Sequence, residues 1–335
     1  MNNQTTSLQG FSWHAMNTQW LIYAPWTRIE QARGAAVWQS MIVNQVEQFE
    51  QIASRFRTQS ELRQWMDSGM VREHTASPIL HQLLKDSLRY QTLTNGLFNI
   101  HFGKALIDAG YDESFEIVSQ ENEQSTNSLK SNGHEFDVIE PFQDVLCISD
   151  EQRIWKRPVN TTLDFGGIGK GWMVDRIIDF LQNTLNIPHG VVDAGGDLRV
   201  WTSESKLTFP VEIADPFDAE HAIAELTIEN GAIATSSKWK RRWKKQNGKW
   251  NHHLIDPATK RPATTTVIQA SVQTKNATEA DVLAKCICIL EPSESEAFLT
   301  KFQTVEQAWI VLENHSVFIW NRSQEGAPRW KTLNI

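Results

Sequence analysis

Four glycines fall within six residues, Gly166, Gly167, Gly169 and Gly171. Around and beyond them Ile168, Trp172, Val174, Ile177, Ile178 and Leu181 recur at a helical period. Such a stretch predicts a strand, a turn stripped of side chains and then a helix, with Pro188 marking its end. Bare N–H groups at a helix start can close on an anion, and Lys170 adds a positive charge. The segment from Asp164 to Asp175 therefore has the makings of a phosphate or pyrophosphate site. A close-packed structural turn would use the same glycines. The order GGxGKG is neither a Walker A loop nor a GxGxxG fingerprint, because no Ser or Thr follows the lysine.

The flanking sequence predicts both helices and strands. HAMNTQWLIYA reads as an early strand, and VWQSMIVNQVEQFEQIASRF as a helix with Val37, Met41, Val46, Phe49 and Ile52 on its apolar face. SPILHQLLKDSLRYQTLT reads as a second helix, with Ser77 as N-cap and Pro78 at its first position. The polar run at about 119–134 predicts a solvated loop. FDVI, VLCIS, VVDAGGDLRVW, LTFPVEIADP and AELTIENGAIATSS predict strands. The basic stretch before His252 predicts a hairpin around Asn247-Gly248. TEADVLAKCICILEP predicts a helix with Thr278 as N-cap and Asp281 three residues on. The mixed order points to an α+β fold, a largely antiparallel sheet framework with flanking helices.

Charge and cysteine usage narrow the function classes. A net charge of -8 weighs against a general nucleic-acid binder. Cys147, Cys286 and Cys288 sit in apolar strings without a CxxC pair and read as reduced core thiols. The first residues show no basic flank or apolar leader region. No stretch approaches the roughly 20 apolar residues of a membrane helix, so a cytoplasmic location without a membrane span is expected.

Three further segments carry polar chemistry. In Asp193-Ala194-Gly195-Gly196-Asp197, a tight turn lies between carboxylates, and Asp197 could accept from a hydroxyl; taken alone, these turn-favouring residues read first as a plain hairpin. In HHLIDP, an imidazole beside Asp256 suits proton transfer, and strand alternation lets only one of His252 and His253 face a given site. The basic run from Lys238 to Lys249, with Trp239, Trp243 and Trp250, reads as a solvated hairpin whose lysines protect a sheet edge.

Taken in order, these segments resemble the FAD:protein FMN transferase family, the ApbE-type flavin transferases. The family's D-x-G-G-I-x-K-G-x-x-x-D segment is matched by Asp164, Gly166, Gly167, Ile168, Lys170, Gly171 and Asp175, and its A-G-G-D turn by Ala194 to Asp197. Ala234-Thr235-Ser236, then His253, Ile255, Asp256, Pro257, Arg261 and Pro262, then Ala280-Asp281-Val282-Leu283-Ala284 follow the family order. Looser matches are Met16 with Thr18 and the turn Thr94 to Phe98. Because the resemblance spans almost the whole chain, it implies one catalytic unit over residues 1–335.

The resemblance implies a magnesium-dependent transfer of the FMN half of FAD to a Thr or Ser of an acceptor protein, with release of AMP. It places FAD against Thr18, Asp164, Gly166, Gly167, Lys170, Gly171, Asp175, Gly195, Gly196, Asp197, Thr235 and Ser236. It gives His253 and Asp256 the proton transfer, and it assigns magnesium to the Gly169 carbonyl, Asp281 and position 285. Here the sequence departs from the family. Position 285 is Lys where the family has Thr or Ser, and an ammonium donates but does not ligate. Ser237-Lys238 replaces a Gly-Asp pair, and Asn17 and Asn99 replace Gly and Asp. Two other readings stand beside transfer: an FAD-binding protein without transfer chemistry, with Lys285 in the cation's place, and a metal-dependent FAD pyrophosphatase that uses water.

Overall fold

Short runs of β-branched and aromatic residues, broken by turn residues, build the frame of this protein. The computed structural model describes residues 8–25, 35–111, 144–159, 161–218, 220–244, 250–322 and 330–334. The predicted loop at about 119–134, the FDVI strand and the Asn247-Gly248 turn lie outside them.

Among the described residues, nine strands form one sheet: β1 (Gln9–Ala15), β2 (Thr18–Ala24), β3 (His189–Ala194), β4 (Asp197–Thr202), β5 (Gly231–Ser237), β6 (Val267–Thr274), β7 (Gln307–Leu312), β8 (Ser316–Asn321) and β9 (Trp330–Asn334). Their order in space is their order in the chain, and every neighbouring pair is antiparallel. This is the α+β frame expected from the sequence. Its first hairpin was not expected. What reads as one strand is β1 and β2, joined at Met16 and Asn17 with φ of 50° and 59°. The side chains around that turn carry no Gly signal.

Helices α1 (Ala35–Ala53), α2 (Glu61–Asp67), α3 (Pro78–Leu93), α4 (Gly103–Asp108) and α5 (Gly169–Asn183) lie between β2 and β3 in the chain. Helices α6 (Ala277–Ile289) and α7 (Pro292–Thr300) lie between β6 and β7. Helix α6 covers β5 and β6 and packs beside α5, which covers β3 and β4. Small residues allow this closeness. Ala232, Ala234 and Ala270 of the sheet and Ala277, Ala280 and Ala284 of α6 are all fully buried in the same core. On the other face, the hairpin Phe209–Ala214 with Ala222–Ile228 closes over Val200, Ile233 and Trp309. Strand β6 is therefore buried at every position, and its polar side chains are paired: Gln269 Nε2 donates to the Ala214 carbonyl at 2.8 Å, and Gln273 Nε2 to Glu306 at 2.8 Å.

Several local expectations hold. Ser77 caps α3 by accepting from the Leu80 N–H at 3.3 Å, and Ile168, Trp172, Val174, Ile177, Ile178 and Leu181 are all buried. Others are corrected. Helix α1 buries Trp38, Ile42, Val46, Phe49 and Ala53, leaving Val37 and Met41 exposed, because the larger Trp38 and Ile42 define the stronger stripe. The N-cap of α6 is Asn276, which accepts from the Glu279 N–H at 2.9 Å; Thr278 lies inside the helix. Cys147 is exposed, whereas Cys286 and Cys288 are buried. The segment before the glycine turn is not a sheet strand. It is tethered to the 100–103 turn, where Asp164 N–H donates to the Ile100 carbonyl at 2.8 Å. Among the described residues, no helix is long and apolar enough to cross a membrane.

Candidate functional site

The glycine turn opens onto a cavity of about 700 Å³, within the range of about 300–1,000 Å³ common for small-molecule sites. Phe49 of α1, Phe98, Phe102, Leu106 and Tyr111 form an apolar part of its wall, while Arg55, Lys170, Arg241, His253 and Lys285 bring cationic or proton-accepting groups. Asp164, Gly166, Gly167 and Gly169 supply the glycine side.

The glycines serve crowding, since their backbone angles fall outside the positive-φ region that Gly195 and Gly196 occupy at 69° and 97°. A methyl group on Gly167 would sit 3.0 Å from the Phe98 ring, one on Gly169 3.2 Å from Phe49, and one on Gly171 2.3 Å from the Ala277 carbonyl oxygen. Asp164 secures the turn. Its carboxylate accepts from the Gly166 N–H at 2.7 Å and from Arg55 Nε at 2.7 Å, and the Arg55 guanidinium lies 4.1 Å over the Phe56 ring.

Behind the turn is a buried charge cluster. Asp281 of α6 is fully buried. Its carboxylate accepts from the Lys285 ammonium, one turn along the same helix, and from the Gly171 N–H at 3.1 Å; Lys170 Nζ lies 3.9 Å away. Lys170 itself donates to Asp197. Burial pushes the Asp281 carboxyl up, but Lys170 and Lys285 outweigh it and hold the group below the ordinary carboxylate value. Burial alone would lower Lys170, and Asp197 with Asp281 raises it above the usual ammonium value instead. Both shifts favour the charged forms of Asp281 and Lys170.

These residues do not fit a magnesium ion. The cation wants a shell of oxygen ligands, yet two ammonium groups already face the Asp281 carboxylate. Among the described residues no group of three or more His, Cys, Asp or Glu side chains is arranged to hold a metal.

The predicted site residues divide between the cavity wall and the packing behind it. Asp164, Gly166, Gly167, Gly169, Lys170, His253 and Lys285 line the cavity; Thr18, Gly171, Asp175, Gly195, Gly196, Asp197, Thr235, Ser236, Asp256 and Asp281 are not among its lining residues. Asp175 accepts from the Ala277 and Thr278 N–H groups at 3.0 and 2.9 Å, from the Thr278 hydroxyl at 2.5 Å and from Arg199 at 2.8 Å. It caps α6. The 193–197 turn is held by Asp193 accepting from the Gly196 N–H at 2.7 Å. Gly195 is pressed against Thr18 so closely that a methyl group there would meet its hydroxyl oxygen at 1.8 Å. Thr235 pairs with the Ser271 hydroxyl at 2.7 Å, and the Ser236 carbonyl accepts from Cys288 Sγ at 3.4 Å.

His253 and Asp256 are not brought together. The Asp256 carboxylate shapes its own turn, accepting from the Ala258 N–H at 2.9 Å and the Thr259 hydroxyl at 3.0 Å. The partner of His253 is the Arg241 carbonyl, 3.4 Å from Nδ1. Burial first, and then Arg241, His252 and Lys285, hold the His253 pKa well below its ordinary value. The ring is neutral at physiological pH. With Nδ1–H directed at that carbonyl, Nε2 is the nitrogen with a lone pair to offer.

Sequence reasoning missed Arg55, Arg241 and Tyr111, whose rings and charges complete the wall. No motif marks Arg55, and Arg241 is hidden in a basic run that reads as surface. That run is itself mixed. Lys238 is buried and donates to the Thr265 carbonyl and hydroxyl at 2.5 and 2.6 Å, and Trp243 donates to the Ala109 carbonyl at 3.0 Å. Exposed Trp239 and Trp250 flank Arg242 at 5.1 and 4.5 Å.

In sequence and in fold, the chain is similar to known proteins. The profile of the ApbE family matches residues 16–309. FAD:protein FMN transferase of Escherichia coli K12 is 25% identical over 296 residues, 88% of this chain and 80% of that protein. The protein of the same name from Vibrio cholerae is 26% identical over 241 residues, 71% of this chain and 68% of that one. In fold, the chain is similar to the ApbE protein of Thermotoga maritima, with a TM-score of 0.74 and 21% identity, covering 93% of this chain and 96% of that chain. It is also similar to the flavin transferase ApbE of Vibrio cholerae, with a TM-score of 0.70 and 20% identity, covering 95% and 97%.

Proposed function

Since this chain belongs to the ApbE family, we propose that it binds FAD in the glycine-turn cavity and transfers the FMN half to a Thr or Ser hydroxyl of an acceptor protein, releasing AMP. The observation that carries this reading is the convergence of the glycine turn, Lys170, Lys285 and neutral His253 on one cavity. Splitting a pyrophosphate asks a protein for positioning and charge neutralisation more than for covalent help. Ammonium groups beside side-chain-free backbone suit the phosphates, and the aromatic wall of Phe49, Phe98 and Tyr111 suits a flat ring system. The wall draws on residues from His14 to Ile289, which supports a single catalytic unit.

In the proposed step the acceptor hydroxyl oxygen forms a bond to the FMN phosphorus. The P–O bond to AMP breaks, its electron pair leaves with AMP, and His253 Nε2 takes the hydroxyl proton. Lys170 and Lys285 offset charge on the phosphate oxygens. Asp256, tied into its own turn, has a structural part in this scheme.

The test is incubation of the purified protein with FAD and a flavin-accepting domain, followed by a denaturing gel and AMP measurement. A fluorescent acceptor band with one AMP released per flavin transferred is expected. No band and no AMP, with or without divalent ions, would sink the reading.

A further inference from the structure

We propose that Lys285 is a built-in cation of the cavity, so that this chain binds the pyrophosphate of FAD without a divalent metal. The inference rests on the FAD reading above and concerns how the same site neutralises its ligand.

Three observations converge on it. The Lys285 side chain lines the cavity, while its ammonium is seated on Asp281 one helical turn away. Asp281 is fully buried with both carboxylate oxygens engaged: Lys285 holds one, and the Gly171 N–H holds the other at 3.1 Å. Lys170 lies 3.9 Å from the oxygen that Lys285 takes and is itself paired with Asp197. Two ammonium groups thus balance two carboxylates before any ligand arrives. A divalent ion placed here would face both ammonium groups with no free carboxylate to receive it. A pyrophosphate arriving at the glycine turn meets the opposite situation, because an ammonium offers three donors and Asp281 does not consume them all. The i, i+4 pairing fixes the charge in place, as a bound ion would be fixed by its ligands.

The full-length protein is titrated with FAD, following flavin fluorescence, once in EDTA and once in magnesium chloride. The expected dissociation constants agree within about twofold, well below the roughly tenfold change that losing one charged hydrogen bond produces. Lys285→Thr should weaken FAD binding about tenfold or more in EDTA and regain it in magnesium, whereas Lys285→Arg should keep metal-independent binding. Wild-type binding that falls about tenfold in EDTA overturns the proposal, as does Lys285→Thr binding as tightly as wild type in EDTA. Failure of the wild type to bind FAD in either buffer overturns the FAD reading itself, and this proposal with it. If Lys285→Thr does not fold, judged by its thermal transition, the wild-type comparison and Lys285→Arg decide.

Discussion

Asp175 and Asp281 cap each other's helices. Asp175 of α5 receives the Ala277 and Thr278 N–H groups at the start of α6, and Asp281 of α6 receives the Gly171 N–H at the start of α5. Asp175 lies four residues after Gly171 on α5, and Asp281 four residues after Ala277 on α6, so the two helix starts sit side by side. Two N-terminal dipole ends side by side repel, and each is offset by a carboxylate from its neighbour.

Gly171→Ala tests how tightly the pair is closed. Its methyl group would lie 2.3 Å from the Ala277 carbonyl oxygen, a backbone atom that cannot swing aside. Overpacking of this kind costs about 3 kcal/mol, and a lower urea midpoint with unchanged slope is the expected result.

Asp175→Ala separates scaffolding from ligand contact. It removes a cap and leaves Arg199 without its carboxylate, so a loss of about 2–3 kcal/mol is expected in urea unfolding. FAD affinity should stay within about twofold of wild type, below the tenfold expected for losing a charged ligand contact. A large loss of affinity in a folded variant would return Asp175 to the binding site.

Acid should destabilise the protein through His252. Burial and then Lys238 lower its pKa from 6.5 to about 4, against the pull of the Ala263 carbonyl. The neutral ring is fully engaged, with Nε2 2.9 Å from that carbonyl and Nδ1 accepting the Leu254 N–H at 3.2 Å. The unfolded chain takes a proton near pH 6.5 and the folded chain only near pH 4, so this stability is present above 6.5 and lost as pH falls between those values. The loss is on the order of 2–3 kcal/mol. Denaturant unfolding from pH 7 to 4 should show a smaller decline in His252→Asn than in wild type.

His253→Asn should lower the FMN transfer rate about a hundredfold while sparing FAD affinity, as loss of a general base does. Because burial and neighbouring cations hold His253 well below 6.5, its neutral form persists as pH falls through that value. Transfer by the wild type should therefore stay level across pH 6.5, where an unperturbed imidazole would be half protonated.

Much of the frame was legible because its signals are local: the Ser77-Pro78 helix start, the glycine turn with its apolar stripe, and the strand pair around Ala194-Gly195-Gly196. The β1–β2 turn was not, since Met16 and Asn17 adopt left-handed angles without a glycine to announce it. Motif order located the segments of the site but not the direction of each side chain. Asp175, Thr235 and Asp256 carry matching letters, yet their oxygens are spent on a helix cap, a neighbouring strand and a turn. Arg55 and Arg241 depend on tertiary contacts between distant segments, which no window of sequence contains. The Lys285 substitution was visible in the sequence; that Lys170 approaches the same carboxylate was not.

Because the sheet is threaded in chain order, the ribosome delivers its first six strands and the glycine turn before it delivers Asp281. Until α6 emerges, the start of α5 lacks the carboxylate that receives the Gly171 N–H, and the cavity lacks Lys285. The nascent chain thus carries the glycine turn for more than a hundred residues of synthesis before the charge that completes it exists. Helix α6 acts as the closing step of the protein's own assembly, and premature termination before it leaves the start of α5 without that carboxylate.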